Sequence, residues 1–432
     1  MVRGCLLTGV LTVWGVSGSA HAAEVIAIRA ERALLDAARG EPGPALIVVR
    51  DGRVAEVLAV DAEVPSGPDD SLHEYRFGAD ATVLPGLIDS HVHLTGDPGG
   101  HWWQAAVTTP EYSTAVGLKN AAITVRAGFT TVRDLGAQGQ SAQAVRDAID
   151  AGLAIGPRVV AAGKSISIIG GHADVTGFRP EVTEVLSTGA CTGATECAAR
   201  VRALSRGGAD VIKFTATGGV LSQQNRGFGA HFTDAEMSAI VETAHALGLK
   251  VAAHAHGARG VEAAARAGVD SIEHGTFVDA AAIAAMKAAG SYLVPTLGPT
   301  IAYRERVGTG VYTPVVEEKI RIRLEATGKN IKAAREAGIP IAFGTDAGVY
   351  DHGRNAEEFP LMIQYGGLTP RETLVSATRT AADLLGLADE IGTIEAGKAA
   401  DLIAVGGDPL ADVTALQSIR FVLARGRVVL GE

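Results

Sequence analysis

Several large protein classes are excluded by what this chain has little of. Beyond residue 22 no stretch reaches the ~18 consecutive apolar residues that a membrane-spanning helix needs, so no membrane association is expected once a leader is removed. Basic residues are not clustered, and 38 Lys and Arg stand against 48 Asp and Glu, a formal charge of −10. That balance argues against nucleic acid as a partner. It says little about substrate charge, because a local pocket can oppose the net sign. No tract is polar enough to suggest disorder, and no solenoid repeat is found. Cysteine is scarce, with three in 432 residues, and the stretch that holds Cys191 and Cys197 offers too few further partners for a zinc site. With 47% hydrophobic, 20% charged and 5% aromatic residues, the remainder reads as an ordinary folded protein.

What is present begins with a leader. Arg3 supplies a positive start, Cys5 to Val16 is mostly apolar, and Ala20-His21-Ala22 offers a cleavage site, so residues 1–22 read as a secretory signal peptide. A periplasmic or secreted protein is the expectation. In an oxidising compartment Cys191 and Cys197, six apart in a Gly/Thr-rich stretch, are sterically able to form a disulfide.

Residues 23–84 read as short strands and turns. Ala45 to Val49, Asp51-Gly52 and Val54 to Val60 form a β-hairpin pattern. Residues 388–432 answer with Asp401 to Val405, Phe421 to Ala424 and Arg427 to Leu430. Each end alone has too few strands for a stable sheet. Together they are expected to form one small β-sandwich domain.

Between them, residues 85–387 alternate apolar strands with amphipathic helices. The strand candidates are Leu87-Ile88, Thr130 to Asp134, Val159 to Ala162, Asp210 to Phe214, Lys250 to His254, Ser271 to His274, Tyr292 to Pro295 and Pro340 to Gly344. Eight strand–helix units predict an α/β fold of the (β/α)₈ TIM-like barrel type. Thr233 to Glu236 and Asn355 to Glu358 have capping-box spacing, and Asp279 is a candidate N-cap. The Gly-rich stretch from Ser165 to Gly193 is longer than a normal connection, as lids and binding loops are.

The chemistry is expected at the C-terminal strand ends. In His91-Val92-His93 both imidazoles leave the same face of a strand. Such a pair is a weak indication alone. Lys213, His254, His274 and Asp346 fall at the ends of later strands, however, and together these residues predict a metal site at one mouth. His256 shares the face of His254 and is its rival as a ligand.

At these positions the chain resembles the amidohydrolase superfamily of metal-dependent hydrolases. The matching pieces are Pro85-Gly86-Leu87-Ile88-Asp89-Ser90-His91-Val92-His93, Val211-Ile212-Lys213, His254-Ala255-His256-Gly257, Ile272-Glu273-His274-Gly275 and Gly344-Thr345-Asp346-Ala347-Gly348. The tail Gly392 to Leu402 also looks like the family's return into its sandwich. The resemblance implies two zinc ions per chain. His91, His93 and Asp346 would hold the first and His254 and His274 the second, bridged by a CO₂-derived carbamate on Lys213. A metal-bridging hydroxide would then attack the amide, with Asp346 as proton shuttle.

Gly170-Gly171-His172, Thr217-Gly218-Gly219-Val220 and Val294-Pro295-Thr296 resemble a branch containing Xaa-Pro and Xaa-Arg/Lys dipeptidases and ochratoxin A amidases. The implied partner is a small-molecule amide or dipeptide that releases an α-amino acid. The mouth should then offer donors to a free carboxylate, and His172, Arg226, Tyr303 and His352 are the candidates in reach. Cyclic-amide or lactone hydrolysis and metal binding without catalysis are the alternative readings. A homo-oligomer is compatible with the sequence.

Overall fold

The computed structural model describes residues 24–98, 102–187, 189–224 and 226–431; the expected leader, 1–22, lies outside them. The N-terminal strands are β1 (Glu24–Ala33), β2 (Gly43–Arg50), β3 (Arg53–Leu58), β4 (Ser71–Phe77) and β5 (Ala81–Pro85). The central ones are β6 (Leu87–Val92), β7 (Phe129–Asp134), β8 (Arg158–Ala161), β9 (Val211–Thr215), β10 (Lys250–Gly257), β11 (Ser271–Phe277) and β12 (Tyr292–Val294). The chain closes with β13 (Leu402–Gly406), β14 (Ile419–Ala424) and β15 (Arg427–Leu430).

Both chain ends share one eight-stranded sheet, in the order β15-β14-β13-β5-β1-β2-β3, with β4 also paired to β1. The hairpin read at Asp51-Gly52 is the β2–β3 turn, with antiparallel register from Arg50↔Arg53 to Leu46↔Leu58. The sheet folds over itself, so that Phe421 of β14 meets Tyr75 and Phe77 of β4, with ring centroids 4.8 and 5.6 Å apart.

The central strands are parallel and almost wholly buried, as strands covered on both faces must be. They form two sheets, β6-β7-β8 and β12-β11-β10-β9. Backbone hydrogen bonds bridge the gaps. Asp210 N donates to Ala161 O (2.8 Å) between β8 and β9, and Ala342 N to Leu293 O (2.9 Å) beyond β12. Ser90 N to Phe343 O and Asp346 N to His91 O (2.9 and 2.7 Å) lead back to β6. Gly86 permits the entry to β6, because a Cβ there would lie 2.1 Å from Thr130 Oγ1.

Two local expectations are corrected. Pro340 to Gly344 is not a regular strand: Ile341 pairs with Leu293, but Phe343 N turns away to Ser376 O, and the chain passes Asp346 at φ +63°. Asn355 to Glu358 is not a capping box. Asn355 donates to Asp89 Oδ2 (2.8 Å), and the Glu358 carboxylate accepts from Leu297 N and Gly298 N (2.8 and 2.6 Å), so both side chains serve the interior. The Thr233–Glu236 box and the Asp279 cap form as expected. Among the described residues no helix is long and apolar enough to cross a membrane.

Candidate metal centre and substrate cavity

Two groups of donors converge at the C-terminal strand ends. His91 and His93 leave β6, and Asp346 lies on the segment hydrogen-bonded beside them. The donor atoms of these three lie within 4.8 Å of one another. Asp346 Oδ1 is 3.3 Å from His93 Nε2 and 3.5 Å from His91 Nε2. The second group is His254 and His256 of β10 and His274 of β11, again within 4.8 Å of one another. The strand register brings this about, because Ala255 pairs with His274, one residue from each β10 imidazole. Both rivals, His254 and His256, are therefore present, with His256 stacked on His274 at 4.8 Å.

Four of the five imidazoles are oriented from behind through Nδ1, which leaves Nε2 for a metal, whereas His254 Nε2 lies 3.4 Å from Gly218 O. His91 Nδ1 faces Glu273 Oε2 at 2.8 Å, and His93 Nδ1 donates to Gly136 O at 2.9 Å. His256 Nδ1 meets Thr276 Oγ1 (2.7 Å) and His274 Nδ1 meets Thr296 Oγ1 (2.6 Å). Glu273 is fully buried and closes a buried network with Arg133 Nη2 (2.9 Å) and Ser271 Oγ (2.5 Å). Asp89 ties the Asp346 segment to β6 by accepting from Thr345 Oγ1 (2.6 Å) and from His91 N (3.1 Å). His274, Thr296 and Asp346 all adopt positive φ, backbone strain that a well-packed surround sustains at a functional site.

Burial sets the protonation states. It pushes His91 down to about 4, helped by the Lys213 charge, and holds His254, His256 and His274 well below the usual imidazole range. These rings are neutral at pH 7 and keep a lone pair for a metal. Burial would raise Asp346, but His91, His93 and Lys213 outweigh it and hold the carboxyl at about 2. Lys213 is buried, and that burial lowers it to about 8.

The donors line a cavity of about 950 Å³. Among the four proposed substrate contacts, His172 and Tyr303 line it. His172 stacks on His254 at 4.3 Å, and its Nδ1 lies 2.6 Å from Ser222 Oγ. Gly219 makes this packing possible, because a Cβ there would come within 2.2 Å of the His172 ring. Arg226 and His352 do not line the cavity. Arg226 is exposed, so the loop carries it to solvent. His352 is buried behind the site, with Nε2 3.2 Å from both His93 O and Gly96 O, where it braces the turn after β6.

Residue types alone did not point to Arg323 or Lys164, which both line the cavity, nor to the role of Glu273 behind His91. For Glu273 a signal existed: a lone acid in an apolar strand needs a buried partner. The long stretch from Ser165 does reach the cavity, through Ser165, His172 and Ala173, and Cys191 and Cys197 are joined as a disulfide.

Comparison with known proteins places this geometry among relatives. The profile of the amidohydrolase family matches residues 82–429. Ochratoxinase of Aspergillus niger is 30% identical over 410 residues, covering 89% of this chain and 82% of that one. A crystal structure of a Xaa-Pro dipeptidase with methionine bound in its active site superposes with a TM-score of 0.86 at 36% identity, covering 94% of this chain and all of the other. The A. niger ochratoxinase structure gives 0.80 at 29% identity, covering 95% and 96%.

Proposed function

The chain belongs to the amidohydrolase family and is a hydrolase acting on amide bonds; from that premise we propose a zinc-dependent enzyme that splits dipeptides or N-acyl amino acids, releasing an α-amino acid. The observation that carries this reading is the convergence of two three-donor groups beside a buried lysine in one cavity. We further read the ring of parallel segments as a closed (β/α)₈ barrel with a sandwich built from both chain ends, at the boundaries expected from the sequence.

The donor set fits a pair of divalent ions. Neutral imidazoles favour zinc over magnesium. His91, His93 and Asp346 would hold one ion, and His254 and His274, with His256 adjacent, the other. As an ammonium Lys213 has no lone pair to offer. Lowered to about 8, it has an accessible neutral amine, which CO₂ converts to a carbamate able to serve both halves. When bound, the ions would supply Lewis-acid activation of a water and of the scissile carbonyl.

The protein's own residues do the rest. The Asp346 carboxylate, ionised at neutral pH, accepts the proton that the attacking water loses and returns it to the departing nitrogen. His172 and Tyr303 line the cavity in which the substrate would sit. The Cys191–Cys197 disulfide supports an oxidising compartment, consistent with export by the 1–22 leader.

The test is a screen of zinc-loaded protein against dipeptides, N-acyl amino acids and ochratoxin-like amides, read by released amino acid, with metal content measured alongside. Release from at least one class, with close to two metals per chain, is expected. Turnover of lactones or cyclic amides alone would overturn the proposal.

A further inference from the structure

One lysine behind the cavity wall has every donor committed to backbone. Lys319 sits on the helix Pro314–Glu325, where Val316, Lys319, Ile320 and Arg323 recur at helical spacing and form its buried face. Only 4% of Lys319 is exposed, and among the described residues no carboxylate oxygen lies within 4.0 Å of its ammonium. A buried charge needs compensation. It comes here from three carbonyls, since Nζ donates to Gly219 O (3.0 Å), Ser222 O (2.5 Å) and Gln224 O (3.3 Å). An ammonium has three N–H groups, so the set is complete. A ring of backbone carbonyls is the surround that a small monovalent cation takes, and this chain fills it from within. Lys319 has no donor left for a substrate, so it acts through the loop it holds, the one that follows β9.

The other face of that loop is cavity wall, lined by Val220, Leu221 and Gln223. Gly219 packs against the His172 ring, leaving no room for a Cβ. Ser222 Oγ donates to Gly219 O (3.2 Å), which spends its single proton, so it accepts from His172 Nδ1, 2.6 Å away. Ser222 thereby fixes which nitrogen of His172 carries the proton. His172 in turn stacks on His254 at 4.3 Å. The same short stretch is therefore held by Lys319 on one side and holds His172 on the other. Two further ties join helix and loop: Thr313 Oγ1 donates to Gln223 Oε1 (2.9 Å), and Val220 packs with Val316 and Ile320. Both reach only side chains. Among the described residues only Lys319 hydrogen-bonds the loop backbone from this helix.

Resting on the amide-hydrolase reading, we propose that Lys319 is a positioning residue, an internal cation that fastens loop 218–224 and so holds Ser222 and His172 as a rigid wall for the substrate. It lies outside the cavity lining itself. Its loss loosens the hold on substrate and leaves the metal donors and the chemical step in place.

The test uses the zinc-loaded full chain and reads amide hydrogen exchange across residues 218–224 together with steady-state hydrolysis of an N-acyl-phenylalanine. Lys319→Met should speed exchange of the loop about tenfold or more, because its anchor is lost. KM should rise about tenfold with kcat within about threefold and zinc content unchanged, the pattern of lost uniform binding. Ser222→Ala should raise KM by a similar factor, and the double variant should lose no more than about 20-fold, against ~100-fold for independent sites. Lys319→Ala leaves three carbonyls facing a hole. Methylammonium, with three N–H donors, should then restore both readouts, and tetramethylammonium, with none, should not. If Lys319→Met does not fold, Lys319→Ala prepared in methylammonium and then dialysed decides on the same readouts. Unchanged loop exchange, a fall in kcat at constant KM, zinc loss, multiplicative effects in the double variant, or equal rescue by both cations overturns the proposal. If wild type turns over no N-acyl amino acid, the hydrolase reading fails on its own, and loop exchange with its methylammonium rescue still decides whether the latch exists.

Discussion

The two halves of the site are built from different chemistry. On the β6 side stand two imidazoles and an acid, and His91 is backed by the buried Glu273 carboxylate. On the β10–β11 side stand three imidazoles and no acid, and His256 and His274 are backed by threonine hydroxyls. A carboxylate behind an imidazole makes it more basic and a stronger donor than a hydroxyl does. The β6 half is thus suited to hold a cation firmly and to move a proton. The β10–β11 half is softer, and the Arg323 cation stands behind it.

The comparison breaks most completely at Asp346. Asp346→Asn keeps an oxygen donor but removes the base, and kcat should fall about 1,000-fold on any accepted amide. Steady-state kinetics on protein of verified metal content checks this, and full activity in the variant would remove Asp346 from the proton path. Next in size is Glu273→Gln. Glu273 is held ionised at about 2, because Arg133 and His91 outweigh the effect of burial. Removing its charge leaves Arg133 buried and unpaired, a loss on the order of 3–5 kcal/mol in stability. Metal affinity of the β6 half should weaken about 10–100-fold. Denaturant unfolding and competitive chelation measure the two effects separately. Adding Arg133→Met should restore stability without restoring affinity, which would separate the brace from the donor.

Most of this floor was legible from the sequence, because strand-end histidines are fixed by local periodicity. On a strand two residues apart means one face, so His91 with His93 and His254 with His256 needed no tertiary information. Asp89, Glu273 and Thr296 were visible as letters, but their work is done across strands, through partners such as Thr345, His91 and Arg323. The walls were less legible, for a related reason: His172 and Tyr303 line the cavity and the other two candidates do not. Arg226 and His352 were chosen as polar residues in loops, and loop residues point wherever packing sends them. Arg323 looks like one solvated arginine among Glu317, Glu318, Arg321 and Glu325. Only the packing of its helix over Thr296 and Thr300 buries it. The eighth strand candidate failed because Phe343 and Asp346 spend their backbone bonds on tying helix and site together.

Lys213 is the residue proposed to join the two halves, and its titration sharpens the comparison at a smaller scale. Carbamate formation consumes the neutral amine, whose fraction rises with pH through about 8. Reconstitution of metal-free protein with zinc and bicarbonate should therefore start roughly eightfold faster at pH 8.5 than at pH 7.0 at equal dissolved CO₂, by the ratio of neutral fractions. The lowered value sets the size of the effect, since the neutral fraction of an ordinary lysine, though far smaller, would rise about 30-fold over the same interval. Rates of activity recovery give the answer, and equal rates would mean that Lys213 is not the slow reactant.

The smallest effect decides whether His256, which sequence periodicity leaves equivalent to His254, is a ligand beside His274. His274 rests on Thr296 and His256 on Thr276, at nearly equal distances of 2.6 and 2.7 Å. Thr276→Val and Thr296→Val each remove one hydrogen bond of about 1 kcal/mol while keeping the shape, so each should cost about fivefold where the imidazole it supports does work. If His254 and His274 hold the second ion, Thr296→Val should weaken zinc retention and Thr276→Val should not. Thr276→Val would then act on KM alone, by loosening His256 against the substrate. Zinc retention falling equally in both variants would make His256 a ligand, and the softer half would hold its ion through all three rings.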